Sequence, residues 1–80
     1  MGIYEFNQLT LEDKVYTASN EGTFLHNRIW EEFGINLYGF GYFYAEVWYN
    51  QKNNTVDKVR SFNNTDMLEP YLVDIKIDMF

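Results

Sequence analysis

The 80 residues of this chain fit one small domain with a substantial hydrophobic core. Hydrophobic residues make up 46% of the sequence and aromatic residues 20%, well above the composition of a disordered segment. Twelve acidic and six basic side chains give a net charge of −6, which disfavours binding to nucleic acid. We therefore expect a single folded domain over residues 1–80 that has no nucleic-acid partner.

The sequence also bears on compartment. It contains no cysteine, which excludes a disulfide framework and a thiolate metal site. Residues 1–14 lack the basic and apolar regions of a secretion signal, and no apolar run has the length of a membrane span. These features predict a cytoplasmic protein without membrane contact.

A helix is predicted near the N-terminus, after a short lead. Thr10 is a suitable N-cap residue, and Glu12 and Asp13 place negative charge in the first turn, where the helix dipole favours it. Gly22 is suited to the left-handed position that ends many helices. The sequence therefore predicts a helix that begins after Thr10 and ends before Gly22.

A second helix is predicted near the C-terminus. Asp66 with Glu69 resembles a capping box, and Pro70 is acceptable within a first helical turn. Residues 73–79 alternate between apolar and charged side chains, which is also typical of a strand. We favour a helix over residues 66–74 followed by an extended tail.

Antiparallel strands are predicted between these helices, where aromatic and β-branched residues dominate. The expected strands lie near residues 23–30, 35–39, 42–50 and 55–62. The predicted fold is therefore α+β, an antiparallel sheet of about four strands with an N-terminal and a C-terminal helix packed on it.

The last hairpin can be given a register. A three-residue loop at 52–54, with Asn54 in the left-handed region, sets Gln51 opposite Thr55. In this register Val47 faces Val59 and Glu46 faces Arg60, which are favourable cross-strand pairs.

No catalytic or metal site is apparent in the sequence. His26 is the only histidine and lies in the middle of a predicted strand, where a structural or solvent-exposed role is the simplest interpretation. Glu31 and Glu32 are adjacent, so on a strand they would point to opposite faces and could not share a proton. No glycine-rich phosphate motif is present. We expect a noncatalytic protein without a cofactor or metal ion.

Rings occupy both faces of the strand predicted over residues 42–50. Phe43, Ala45 and Val47 lie on the side that looks like core. The other side, which we call the mixed face, combines aromatic and charged residues of the kind enriched in interaction surfaces. An alternative is that residues 66–80 pack over it. The candidate binding residues of the mixed face are Tyr42, Tyr44, Glu46, Trp48, Lys58 and Arg60.

These features predict a protein-interaction module that forms a homo-oligomer through the mixed face. An alternative is an acidic inhibitor or immunity-type protein that captures a basic enzyme, using Glu31, Glu32, Asp57 and Asp66. A binder of small molecules or carbohydrates is a third possibility, because rings beside cations also suit such ligands.

Four short stretches resemble those of a group of small uncharacterised bacterial proteins. They are Tyr4-Glu5-Phe6-Asn7, Glu46-Val47-Trp48-Tyr49, Val59-Arg60-Ser61-Phe62 and Leu68-Glu69-Pro70-Tyr71-Leu72. The resemblance spans most of the chain and implies one intact domain of bacterial type. It implies no activity and assigns no functional residue.

Overall fold

The computed structural model of the chain describes residues 1–64, Leu68, Pro70 and Tyr71. Two helices precede a four-stranded antiparallel sheet in which each strand pairs with its neighbour in the chain. This architecture confirms the α+β class and the antiparallel sheet. The predicted helix over 66–74 lies outside the described residues, apart from Leu68, Pro70 and Tyr71. The elements are α1 (Ile3–Asn7), α2 (Leu11–Glu21), β1 (Thr23–Trp30), β2 (Phe33–Gly39), β3 (Tyr44–Asn50) and β4 (Thr55–Phe62).

Helix α2 begins as predicted but ends differently. The backbone N–H of Asp13 donates to Oγ1 of Thr10 at 3.1 Å, which confirms the N-cap. Gly22 follows the helix with φ of −85°, so the prediction of a left-handed cap was wrong. The reason for glycine is space, since a Cβ atom there would lie 2.8 Å from the carbonyl oxygen of Ala18 and 3.1 Å from the ring of Phe40.

This crowding leads to a stability prediction. Alanine can adopt the backbone angles of Gly22, so Gly22→Ala should be costly only because its methyl group overlaps the helix carbonyl and the Phe40 ring. We expect urea unfolding to show a loss of about 1–3 kcal/mol, as for overpacked sites. Gly2→Ala is the control, because nothing lies within 4 Å of that position. A Gly22→Ala protein more stable than wild type would contradict the packing found here.

Helix α1 was not predicted, because five residues are too few to show a helical period. The N-terminal end of α1 is fixed by Glu5, whose Oε1 accepts a hydrogen bond from the backbone N–H of Gly2 at 2.8 Å. Phe6 is fully buried and packs with Phe43 and Ala45 under the sheet. Burial of this ring is what holds so short a helix in place.

The first hairpin is tighter than predicted. Trp30 pairs with Phe33, so Glu31 and Glu32 form a two-residue turn, and β2 starts two residues earlier than expected. Glu31 has φ of 56°, a left-handed backbone that the turn requires. The two acids therefore lie in a turn and not on a strand. Strand β1 has the predicted bounds.

The register of the second hairpin is confirmed along most of its length. Val47 faces Val59 and Glu46 faces Arg60, as expected. A bulge after Trp48 then moves Thr55 opposite Asn50, and the turn has four residues, 51–54. Oδ1 of Asn50 accepts from two backbone N–H groups of this turn, at 2.8 and 3.3 Å, and thereby closes it. Asn54 is left-handed, with φ of 58°.

Candidate functional site

The structure brings together five of the six predicted site residues. Tyr44, Glu46 and Trp48 alternate along β3, and β4 places Lys58 and Arg60 directly opposite Trp48 and Glu46. Their side chains lie on the sheet surface opposite the core formed by Phe6, Phe43 and Ala45. Tyr42 is not part of this group. It lies in the loop before β3, which starts at Tyr44 and not at 42, and it is 91% exposed.

Glu46 occupies the centre of the mixed face and is only 2% exposed. Its Oε1 accepts from the indole N–H of Trp48 at 3.0 Å, and Nη1 of Arg60 lies 3.8 Å from the same oxygen. Its Oε2 accepts from the hydroxyl of Tyr71 at 2.6 Å and from Nη2 of Arg28 at 3.5 Å. Four donors therefore converge on one buried carboxylate.

Trp48 is a packed side chain that is 7% exposed. The rings of Phe33 and Trp30 meet it edge-on, with centroids 5.5 and 6.1 Å from its own. Nζ of Lys58 lies 4.4 Å from the ring centroid, and the guanidinium carbons of Arg28 and Arg60 lie 5.8 and 5.9 Å from it. We refer to Arg28, Lys58 and Arg60 as the cation cluster.

Tyr71 covers part of the mixed face and is fully buried. The guanidinium carbon of Arg28 lies 4.9 Å from its ring centroid, and the ring of His26 meets it edge-on at 5.6 Å. Burial, and then the hydrogen bond to Glu46, raise the pKa of Tyr71 well above its usual value. The phenol therefore stays protonated at neutral pH and donates to the carboxylate.

This cover changes what the mixed face can bind. Glu46 and Trp48 were expected at the surface, and the structure corrects this, because both are internal side chains under Tyr71 and Arg28. The alternative interpretation, in which C-terminal residues pack over the mixed face, is confirmed for Tyr71. Lys58 and the partly exposed Arg60 remain accessible to a ligand or a partner protein.

Two residues of this site, Arg28 and Tyr71, were missed in the sequence. Arg28 is the single cation on β1, and an isolated arginine on an otherwise uncharged strand was a usable signal of an internal ion pair. His26 lies beside Tyr71, which agrees with a structural role for its ring. Tyr71 gave no local signal, because its partner Glu46 lies 25 residues away in the sequence. In the described ranges, no group of three or more acidic or histidine side chains could hold a metal ion.

A second exposed surface lies along β1, which is the first strand of the sheet. Within the part of the chain that the structure describes, β1 pairs with β2 along one side. We refer to this strand and its large exposed side chains as the β1 edge. Those side chains are each about half exposed and are Phe24, Leu25, Ile29 and Trp30.

Comparisons with protein-family models, with curated proteins and with solved structures found no match to this chain. The resemblance to small bacterial proteins therefore stays a prediction. Among the helices that the structure describes, none has the length and apolar character needed to cross a membrane.

Proposed function

We propose that this chain is a noncatalytic protein-interaction module that self-associates through the β1 edge. The observation that carries the proposal is the concentration of four large exposed apolar side chains on one edge strand. An edge strand presents a row of unpaired backbone donors and acceptors, to which another strand can add. Exposed apolar area on the same strand supplies the hydrophobic gain that stabilises such a contact.

The opposite edge of the sheet supports this choice by contrast. Strand β4 carries Asp57 and Lys58, both exposed, and the hydroxyl of Ser61 donates to the side chain of Asn7 in α1. Charged side chains and covering helices are the usual protection of an edge against pairing. In the described residues, β1 carries no proline, and its one cation, Arg28, is directed at Glu46.

A second copy of the chain can pair with the β1 edge through its own β1 edge. Two copies of β1 that pair antiparallel about a twofold axis place one residue opposite itself. With Asn27 on the axis, two uncharged amide side chains face each other, and the exposed apolar side chains of both copies lie along the shared edge. With Arg28 on the axis, two like charges would meet. We therefore favour the Asn27 register.

The first test measures the dimerisation constant by analytical ultracentrifugation. We expect the wild-type protein to dimerise and Ile29→Lys to weaken dimerisation by about tenfold or more, the equivalent of about 1.4 kcal/mol. Tyr42→Lys is the matched control, because it also places lysine at an exposed apolar position but lies away from β1. A wild-type protein that stays monomeric at high concentration, or equal losses in both variants, would reject the proposal.

The register can be tested separately. Because the chain has no cysteine, Asn27→Cys introduces one thiol whose only partner is its own copy. Mild oxidation should give a disulfide-linked dimer, whereas a cysteine at Tyr42 should not cross-link. Cross-linking at neither position, in a protein that still dimerises, would reject the register and leave the interface at β1.

An acidic inhibitor of a basic enzyme remains the second candidate. Glu31 and Glu32 project side by side from the first hairpin turn, and Asp57 is also exposed, while Asp66 lies outside the described residues. Charges of this kind steer association over about 10 Å at 0.1 M salt. Capture of one basic protein from the native lysate, lost at high salt and in Glu31→Gln/Glu32→Gln, would favour this function over self-association.

A further inference from the structure

The cation cluster carries more positive charge than the described residues neutralise around it. Arg28, Lys58 and Arg60 account for three of the six basic residues of the chain, and all three contact the same indole ring. Glu46 is the one carboxylate that the described structure places in ion-pair contact with them. Such an excess of cations is unexpected in a protein with a net charge of −6.

The guanidinium groups also have unused hydrogen-bonding capacity. The contacts of Arg28 and Arg60 with Glu46 are 3.5 and 3.8 Å long. Ideal charge-assisted hydrogen bonds are shorter, about 2.7–2.9 Å between the nitrogen and the oxygen. Nε of Arg28 is buried and has no acceptor in the described structure. Since a guanidinium offers five N–H donors, both arginines can donate hydrogen bonds to a further oxygen ligand.

We propose that the cation cluster is a binding site for an oxoanion, either a phosphate or a carboxylate group. Arg60 and Lys58 form the mouth of the site, because Lys58 is exposed and the Arg60 side chain is 40% exposed. Arg28, at 16% exposure, lies deeper and adds charge from the other side of Trp48. A planar guanidinium matches the geometry of a carboxylate or phosphate, and an ammonium group adds a point charge.

This site is independent of the proposed self-association. The mouth of the site lies on β4, at the opposite edge of the sheet from β1. The charge-removing substitutions of the test below, at Lys58 and Arg60, lie outside the β1 edge, and the Trp30→Phe change, which lies on it, is common to all samples. A monomeric wild-type protein would reject the proposed function and leave the oxoanion site untouched.

The test uses Trp48 as its own reporter. Trp30→Phe keeps an aromatic ring on β1 and leaves Trp48 as the single tryptophan, in contact with all three cations. Sodium phosphate and, in a second series, sodium acetate are titrated at constant ionic strength against sodium chloride. We expect a saturable change in Trp48 fluorescence with at least one of the two. Phosphate alone identifies a phosphate ligand, and a response to both identifies the shared oxoanion chemistry.

Variants then locate the site. Lys58→Gln and Arg60→Gln in the Trp30→Phe background should each weaken binding by about tenfold, the effect of one charge-assisted contact. Lys52→Gln removes the same charge from the exposed hairpin turn and should leave the affinity unchanged. Circular dichroism checks that each variant is folded. Equal losses in Lys52→Gln and Lys58→Gln, or no response beyond that of chloride, would overturn the proposal.

Discussion

Trp48→Ala should destabilise the protein by about 3–5 kcal/mol, the usual cost of removing a large buried ring. The indole is 7% exposed, donates to Glu46, and is enclosed by two rings and the cation cluster. A domain of this length has a free energy of unfolding of about 4–12 kcal/mol, so the variant loses a large fraction of it. Urea denaturation followed by far-UV circular dichroism measures the loss.

Trp30→Ala is the matched control for this experiment. Trp30 contacts the same ring but is 49% exposed, so its truncation removes less buried area and should cost clearly less than that of Trp48. A Trp48→Ala protein whose stability stays within about 1 kcal/mol of wild type, but which no longer self-associates, would show that the mixed face is a binding surface.

Glu46→Gln should cost about 3 kcal/mol, the lower end of the range for breaking a buried ion pair. The carboxylate accepts from Trp48 and Tyr71 and faces the guanidinium groups of Arg28 and Arg60. The amide keeps the shape but has one acceptor oxygen and turns an NH₂ donor toward other donors. The mostly buried Arg28 and the partly exposed Arg60 also lose their counter-charge. The free energy of unfolding in urea should therefore fall.

Glu32→Gln provides the comparison, because it makes the same substitution at an exposed turn position. Its effect on stability should stay within about 0.5 kcal/mol, as for most surface changes. Equal stability of Glu46→Gln and wild type would mean that the four donors have other acceptors, and the account of the mixed face given above would then fail.

Much of the sheet could be predicted because its signals are local. Alternation along β3 separated Ala45 and Val47 from Glu46 and Trp48, and the choice of good cross-strand pairs set the register. The bulge after Trp48 was not predictable in this way. It arises from Asn50, whose side chain closes a four-residue turn and shifts the pairing by one residue.

The sequence predicted which residues group together in the candidate site, but it did not predict that Glu46 and Trp48 are buried. Period-two alternation is enough to group Tyr44, Glu46 and Trp48 on one face. Whether that face meets water depends on Tyr71 and Arg28, which reach it from other elements. Contacts between distant segments leave no periodic trace in a single sequence, so the change from exposed surface to buried ion pair became visible only in three dimensions.

The chain order of the sheet has a consequence for how the domain assembles. Each strand pairs with the one made just before it, so hairpins can close over short loops at low entropic cost. Helix α1 depends on contacts that lie much farther apart in the sequence. Phe6 packs against Phe43, and Asn7 meets Ser61 across 54 residues. During synthesis α1 must therefore wait for almost the whole sheet to emerge before it can dock.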